Sequence, residues 1–325
     1  MIKVRSTGFN TQGCFQMSIW SKILVFVILP ILSAANVSAE KLYKSRSTNG
    51  SLVFSDRPVE NTQVFEVKQV EVAKKVCFSI SARGSKENLR LYGVNDCYGP
   101  AEFSFTMDEN KNINWDRPKI YNAIVPPRKS QPLVHIWQAD NRKGFKYSYT
   151  TSIVPGDPRA NHIPYAPYLF PVQAGRGYRI SQGFKGNTTH THPQSIYAVD
   201  IAMPQGTRIC ASRSGVIMEV ANDFFTGGIT APFTEKANFI RILHDDGTMA
   251  LYAHLKLESI QYPAGTRVER GQFIGESGNT GYSSGPHLHF VIQKNFGMEL
   301  RSIPFEFADR RGRGFTPKVG MIVSR

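Results

Sequence analysis

Past residue 39, no stretch of this 325-residue chain sustains apolar residues at the three-and-four spacing of an amphipathic helix. The apolar residues come instead in short alternating or continuous runs, broken every few positions by Gly, Pro, Asn or Asp. That is the all-β pattern. The length suggests two or three compact units.

Four segments follow an N-terminal leader. Lys3, Arg5 and Lys22 precede an apolar run, "ILVFVILPILSAA" from Ile23 to Ala35, and "VSA" ends at Ala39. A basic region, a short apolar core and a small-x-small site describe a secretory signal peptide over residues 1–39. The run is too short for a membrane span, which needs about 20 residues. Residues 40–66 form a small unit, with two strands flanking the Asn-Gly turn of "TNG" and closing at "FSDRP". This stretch resembles a small domain at the start of secreted proteobacterial proteins. Residues 67–170 read as a β-sandwich: "KVCFSISAR", "AEFSFTM", "LVHIWQA" and "FKYSYTTSIV" are strand-like, while "PPRKSQP" and "GDPRANH" are loops. Residues 171–305 form the next unit, and 306–325 read as a basic, solvated tail.

The formal charge is +14, and removing residues 1–39 takes away three basic groups and no acidic one, leaving +11. A secreted basic protein attracts polyanions. No zinc finger, helix-turn-helix or aromatic-rich RNA motif is present, so a cell wall or anionic surface fits better than nucleic acid. Cys14 lies in the leader. Cys77 and Cys97 can pair in an oxidising compartment, whereas Cys210 reads as buried and free.

The chemistry concentrates in the C-terminal half. "GPHLHF" puts His287 and His289 two residues apart in an apolar strand, so both imidazoles share one face while Leu288 and Phe290 take the other. "YAVDIAMPQGT" places Asp200 inside an apolar strand, where a carboxylate is costly unless paired or metal-bound. "NTTHTHPQ" carries His190 and His192 on a polar loop, and "MALYAHLK" ends a β run at His254. Two His and one Asp, with a fourth position open to water, compose a catalytic zinc site. His135, His162 and His244 have no such context. Glycines 275, 278, 281 and 285 precede a strand rather than a helix, which argues against a phosphate loop.

From about Tyr178 to Phe290 the chain resembles the lysostaphin-like, LytM-type zinc metallopeptidases that cut peptidoglycan peptides. The resemblance rests on "AVDIAMPQGTRICASRSGVI", "MALYAHL" and "GTRVERGQFIGESGNTGYSSGPHLHF". It implies His190, Asp200 and His289 as ligands of one Zn2+, with His254 and His287 assisting catalysis. The commonest family pattern is His-x-x-x-Asp, but Ile196 stands four before Asp200. "THTHPQSIYAVD" resembles a branch with a longer loop, which favours His190 over His192 as first ligand.

The resemblance implies a zinc endopeptidase hydrolysing cross-link or stem peptides of peptidoglycan in a Gram-negative envelope or periplasm. His287 would take the water proton and His254 would hydrogen-bond the oxyanion. One rival is a catalytically inactive envelope regulator that activates a wall amidase. Another is a lipoyl-like barrel carrier, which needs a lysine at a hairpin tip that the sequence does not clearly provide.

Overall fold

The computed structural model describes residues 2–10, 38–47, 52–55, 59, 62–72 and 76–325. Their regular structure is β-strand apart from one 3₁₀ turn, Ala231–Phe233, and no described helix is long and apolar enough to cross a membrane.

Ser38–Ser47, Leu52–Ser55 and Thr62–Val72 form a three-stranded antiparallel sheet, with the first strand in the middle. The expected cut after Ala39 falls inside the first of these strands, and the last runs beyond residue 66. The "TNG" turn, the leader's apolar run and Cys14 lie outside the described residues. Ile2–Asn10 pairs antiparallel with Phe145–Pro155, from Ile2↔Ile153 to Asn10↔Phe145, along the edge of that strand.

The middle unit is a sandwich of two four-stranded sheets. One orders Ile2–Asn10, Phe145–Pro155, Ala101–Lys111 and Ile120–Val125; the other orders Phe78–Ser85, Asn88–Asn95, Lys129–Gln138 and Ile113–Trp115. Leu91, Phe105, Met107, Val134, Ile136 and Tyr147 are buried together between them. Each such side chain contributes about 1.5–3 kcal/mol by leaving water. Residues 129–132, expected in a loop, join a strand instead, because a bulge between Pro132 and Val134 accommodates the proline. Cys77 and Cys97 form a disulfide with Cα atoms 5.2 Å apart, and Cys210 is free and buried.

Two boundaries shift. Tyr168 and Phe170 are buried in the C-terminal core rather than the sandwich, and the Tyr168 amide donates to the Glu306 carbonyl at 2.8 Å. The expected solvated tail is built into the fold: Phe307 and Val323 are buried, and Ile322–Val323 pairs with Tyr178–Arg179. The apolar residues of the tail, not its arginines, decide its place.

The C-terminal unit is organised around one sheet of nine described strands. Its order is Arg267–Val268, Gly215–Ala221, Phe239–Leu243, Met249–Ala253, His287–Asn295, Val199–Ala202, Tyr178–Gln182 and Ile322–Val323, with Leu300–Ser302 beside His287–Asn295. Ile240, Ile242, Tyr252, Leu288, Phe290, Ile292 and Ile201 point from one face into the core. The other face carries Asp200, His287 and His289 at one end. At the far end the sandwich covers it: Met218 and Met249 join the cluster of Phe78, Phe103 and Leu133, and Asn295 Nδ2 donates to Glu102 Oε2 at 2.9 Å.

Candidate metal centre

Strand register assembles the site. Asp200 lies directly opposite His289 in the antiparallel pair, and Ala202 opposite His287. Opposed residues share a face, so the alternation that buries Leu288 and Phe290 sends the Asp200 carboxylate and both imidazoles outward together. His289 Nδ1 lies 2.8 Å from Asp200 Oδ1, and His287 Nε2 lies 3.8 Å from the same oxygen.

His190 arrives from the loop between Tyr178–Gln182 and Val199–Ala202. Its ring is fully buried, with Nε2 3.2 Å from Asp200 Oδ1. The ligand atoms of His190, Asp200 and His289 all lie within 4.8 Å of one another. His192 does not reach this point. It is exposed and lines a separate cavity of about 270 Å³ with Pro193, Gln194 and Glu299.

His254 completes the cluster by leaving the strand. Met249–Ala253 ends one residue before it, and His254 adopts φ 64°. Simple alternation would put Tyr252 and His254 on one face. The left-handed residue breaks it, so Tyr252 stays in the core, where its hydroxyl accepts from the Ser212 amide, while His254 turns to the site. The ring centroids of His254 and His287 are 4.6 Å apart, and those of His254 and His289 are 5.9 Å apart.

Backbone carbonyls set the tautomers. His190 Nδ1 lies 2.9 Å from Gly183 O, His254 Nδ1 2.7 Å from Thr280 O, and His287 Nδ1 2.8 Å from Gly285 O. A carbonyl only accepts, so each Nδ1 carries the proton and each neutral ring presents a bare Nε2. Two of these lone pairs, on His190 and His287, lie 3.2 and 3.8 Å from Asp200 Oδ1, and the His254 ring packs beside His287. In His190 the lone pair and Asp200 Oδ1 face each other at 3.2 Å, two acceptors that need a cation or a proton between them. The donor set of His190, Asp200 and His289, with His190 Nδ1–H held by the Gly183 carbonyl, fits a divalent metal bound through imidazole and carboxylate.

The electrostatics agree. Burial alone would raise the Asp200 carboxyl, but the His190 and His289 nitrogens facing it outweigh burial and hold the group well below the usual carboxylate range. Burial lowers His190, yet the facing Asp200 carboxylate raises it on balance, favouring a positive charge between Nε2 and Oδ1, whether proton or metal. His254 is pushed down to about 3, by burial first and then by His287 and His289.

The sequence reading missed the residues that orient these groups. Gln182 Nε2 donates to Asp200 Oδ2 at 2.9 Å. Gly278 packs so tightly that a Cβ there would lie 2.5 Å from the Lys256 amide nitrogen, and this close approach sets the turn that brings Thr280 O to His254. The run of glycines was the available signal for the turn; nothing in the sequence marks Gln182. His135, His162 and His244 lie elsewhere, bonded to Asn88 Oδ1, Tyr168 Oη and Ser214 O.

Comparison with known proteins covers the same region. Residues 194–299 match the model of peptidase family M23. Asp200, His254, His287 and His289 fall inside that match, and His190 lies four residues before it. The chain is 33% identical over 139 residues to the peptidoglycan DD-endopeptidase ShyA of Vibrio cholerae, covering 42% of this chain and 29% of that protein. It is 36% identical over 120 residues to lysostaphin of Staphylococcus simulans, covering 36% of this chain and 22% of that one. It is 34% identical over 119 residues to the glycyl-glycine endopeptidase ALE-1 of Staphylococcus capitis, covering 36% and 30%. The chain thus spans less than a third of the length of these relatives. Residues 194–299 are therefore a peptidase family M23 domain.

Proposed function

We propose that this chain is a secreted zinc endopeptidase that hydrolyses peptide bonds of peptidoglycan. The observation that carries the reading is that the ligand atoms of His190, Asp200 and His289 all lie within 4.8 Å of one another, where the chain matches peptidase family M23. His190, Asp200 and His289 are the proposed ligands. Zinc supplies a Lewis acid at this point and makes water acidic enough to ionise at about neutral pH.

The chain's own groups handle protons. His287 Nε2, bare because Nδ1 donates to Gly285, takes the proton of the attacking water and returns it to the leaving amine. His254 carries its proton on Nδ1, which Thr280 O holds, so it has none at Nε2 to give an oxyanion. The donor role expected for it therefore yields to that of an acceptor, which orients the water beside His287. The basic surface favours a carboxylate-rich wall, and the relatives named as endopeptidases support a stem or cross-link peptide as substrate, with direct D,D cross-links preferred. The basic residues, short apolar run and small-x-small site within residues 1–39, read as a secretory leader, support export to a Gram-negative periplasm.

The test is digestion of purified peptidoglycan, with muropeptide products separated by chromatography. Wild type is expected to release peptide-cleaved fragments, and His287→Ala to fall by at least about 100-fold with unchanged zinc content. Wild-type protein that holds zinc but cleaves no wall peptide would overturn the substrate assignment.

A further inference from the structure

We propose that Gln182 is a positioning residue that staples the long His190 loop to Asp200 and so presets the two ligands together. The inference rests on the ligand assignment above and adds how this chain meets an unusual demand. Nine residues lie between its first histidine ligand and Asp200, and most of them are outside regular structure. A ligand on so long a loop loses more conformational freedom on binding metal than one on a strand.

The staple starts with a bulge. Ile180 opposes Ile201, but Gln182, not Ser181, opposes Asp200. Ser181 is the extra residue, and its hydroxyl donates to the Asp200 carbonyl at 3.1 Å. Without the bulge, Gln182 would share the core face with Ile180. With it, Gln182 lies beside the carboxylate. Bulges near functional sites re-aim side chains in this way.

One amide then makes four contacts. Nε2 donates to Asp200 Oδ2 at 2.9 Å and to Thr189 Oγ1 at 2.6 Å. Oε1 accepts from the Thr188 and Thr189 amides at 3.3 and 3.5 Å. Thr189 precedes His190, and Gly183, the next residue after Gln182, holds His190 Nδ1. A single side chain therefore fixes the loop next to one ligand and occupies Oδ2 of the other, leaving Oδ1 to face the imidazoles.

Gln182→Met keeps the shape and removes every bond. Zinc affinity of full-length protein, read by competition with a chromophoric chelator, is expected to fall about 10- to 100-fold. The metal-free melting temperature should stay within a few degrees, and the visible spectrum of the cobalt-loaded protein should change. In metal-free protein, hydrogen exchange should accelerate in peptides covering 183–197 and not in those covering 287–295. If Met disturbs folding, Gln182→Asn, which keeps the amide but falls one methylene short, carries the same measurements. Wild-type affinity and exchange in these variants would overturn the staple. Wild-type protein that binds no zinc would instead sink the peptidase reading, and loop exchange alone would then decide the staple.

Discussion

A buried histidine is informative only through its second nitrogen. In the site, three imidazoles have Nδ1 tied to a carbonyl, and His190 and His287 turn Nε2 toward Asp200, so the rings are built to receive something. His244 offers the contrast. It is buried, Nδ1 donates to Ser214 O at 2.9 Å, and Nε2 has no partner. Burial, helped by the nearby Arg213 charge, pushes it down to about 4. The folded chain thus keeps His244 neutral where the unfolded chain, titrating near 6.5, takes up a proton. Stability from this residue is full above about pH 6.5 and is lost as pH falls toward 4, on the order of 3 kcal/mol across the window. Urea unfolding at pH 7 and pH 4.5 should show that loss in wild type and much less of it in His244→Asn, which keeps a donor for Ser214. Equal losses in both would contradict it. The site residues divide similarly in legibility. The shared face of His287 and His289, and the cost of Asp200 in an apolar strand, follow from alternation. The turn of His254 and the aim of Gln182 do not, because a left-handed residue and a bulge each break the alternation that a sequence displays.

Strands were readable where one face is buried and the run is long. "AEFSFTM" and "FKYSYTTSIV" became Ala101–Lys111 and Phe145–Pro155. Asn88–Asn95 and Ile120–Val125 were not picked out: Arg90 and Gly93 interrupt the first, and the second is a six-residue run broken by Asn122. The sandwich still followed, because its long strands already required two layers. The Gly-rich approach to the histidine strand is an element whose composition is dictated by backbone contact. Gly278→Ala would set a Cβ 2.5 Å from the Lys256 nitrogen and 2.7 Å from the Leu255 carbonyl carbon, neither of which can yield as a side chain can. We expect it to cost about 1–3 kcal/mol in stability and to reduce hydrolysis more than binding, by drawing Thr280 O away from His254. Thermal melts and steady-state kinetics check both. An unchanged melt would show that the turn has slack.

At the scale of the molecule, the sandwich and the M23 domain share one sheet face. Glu102 accepts from Asn295 Nδ2 and, at 2.7 Å, from the Met298 amide, next to the strand that carries His287 and His289. That strand is anchored at one end by another unit and carries the site at its other end, which suits a site that needs fixed geometry. None of this coupling was legible in the sequence: Met218, Met249 and Glu102 are ordinary strand residues until the two units meet. The placement of the C-terminal segment was equally hidden, since its apolar residues are scattered among charged and turn-forming ones rather than gathered in one long run. The central claim remains that His190, Asp200 and His289 hold one zinc. It is tested most directly by metal analysis of purified wild type, His190→Ala, His192→Ala and His289→Ala. The account predicts about one zinc per chain in wild type and in His192→Ala, and strong loss in the other two. Zinc retained in His190→Ala but lost in His192→Ala, or no zinc in wild type after reconstitution, would contradict it.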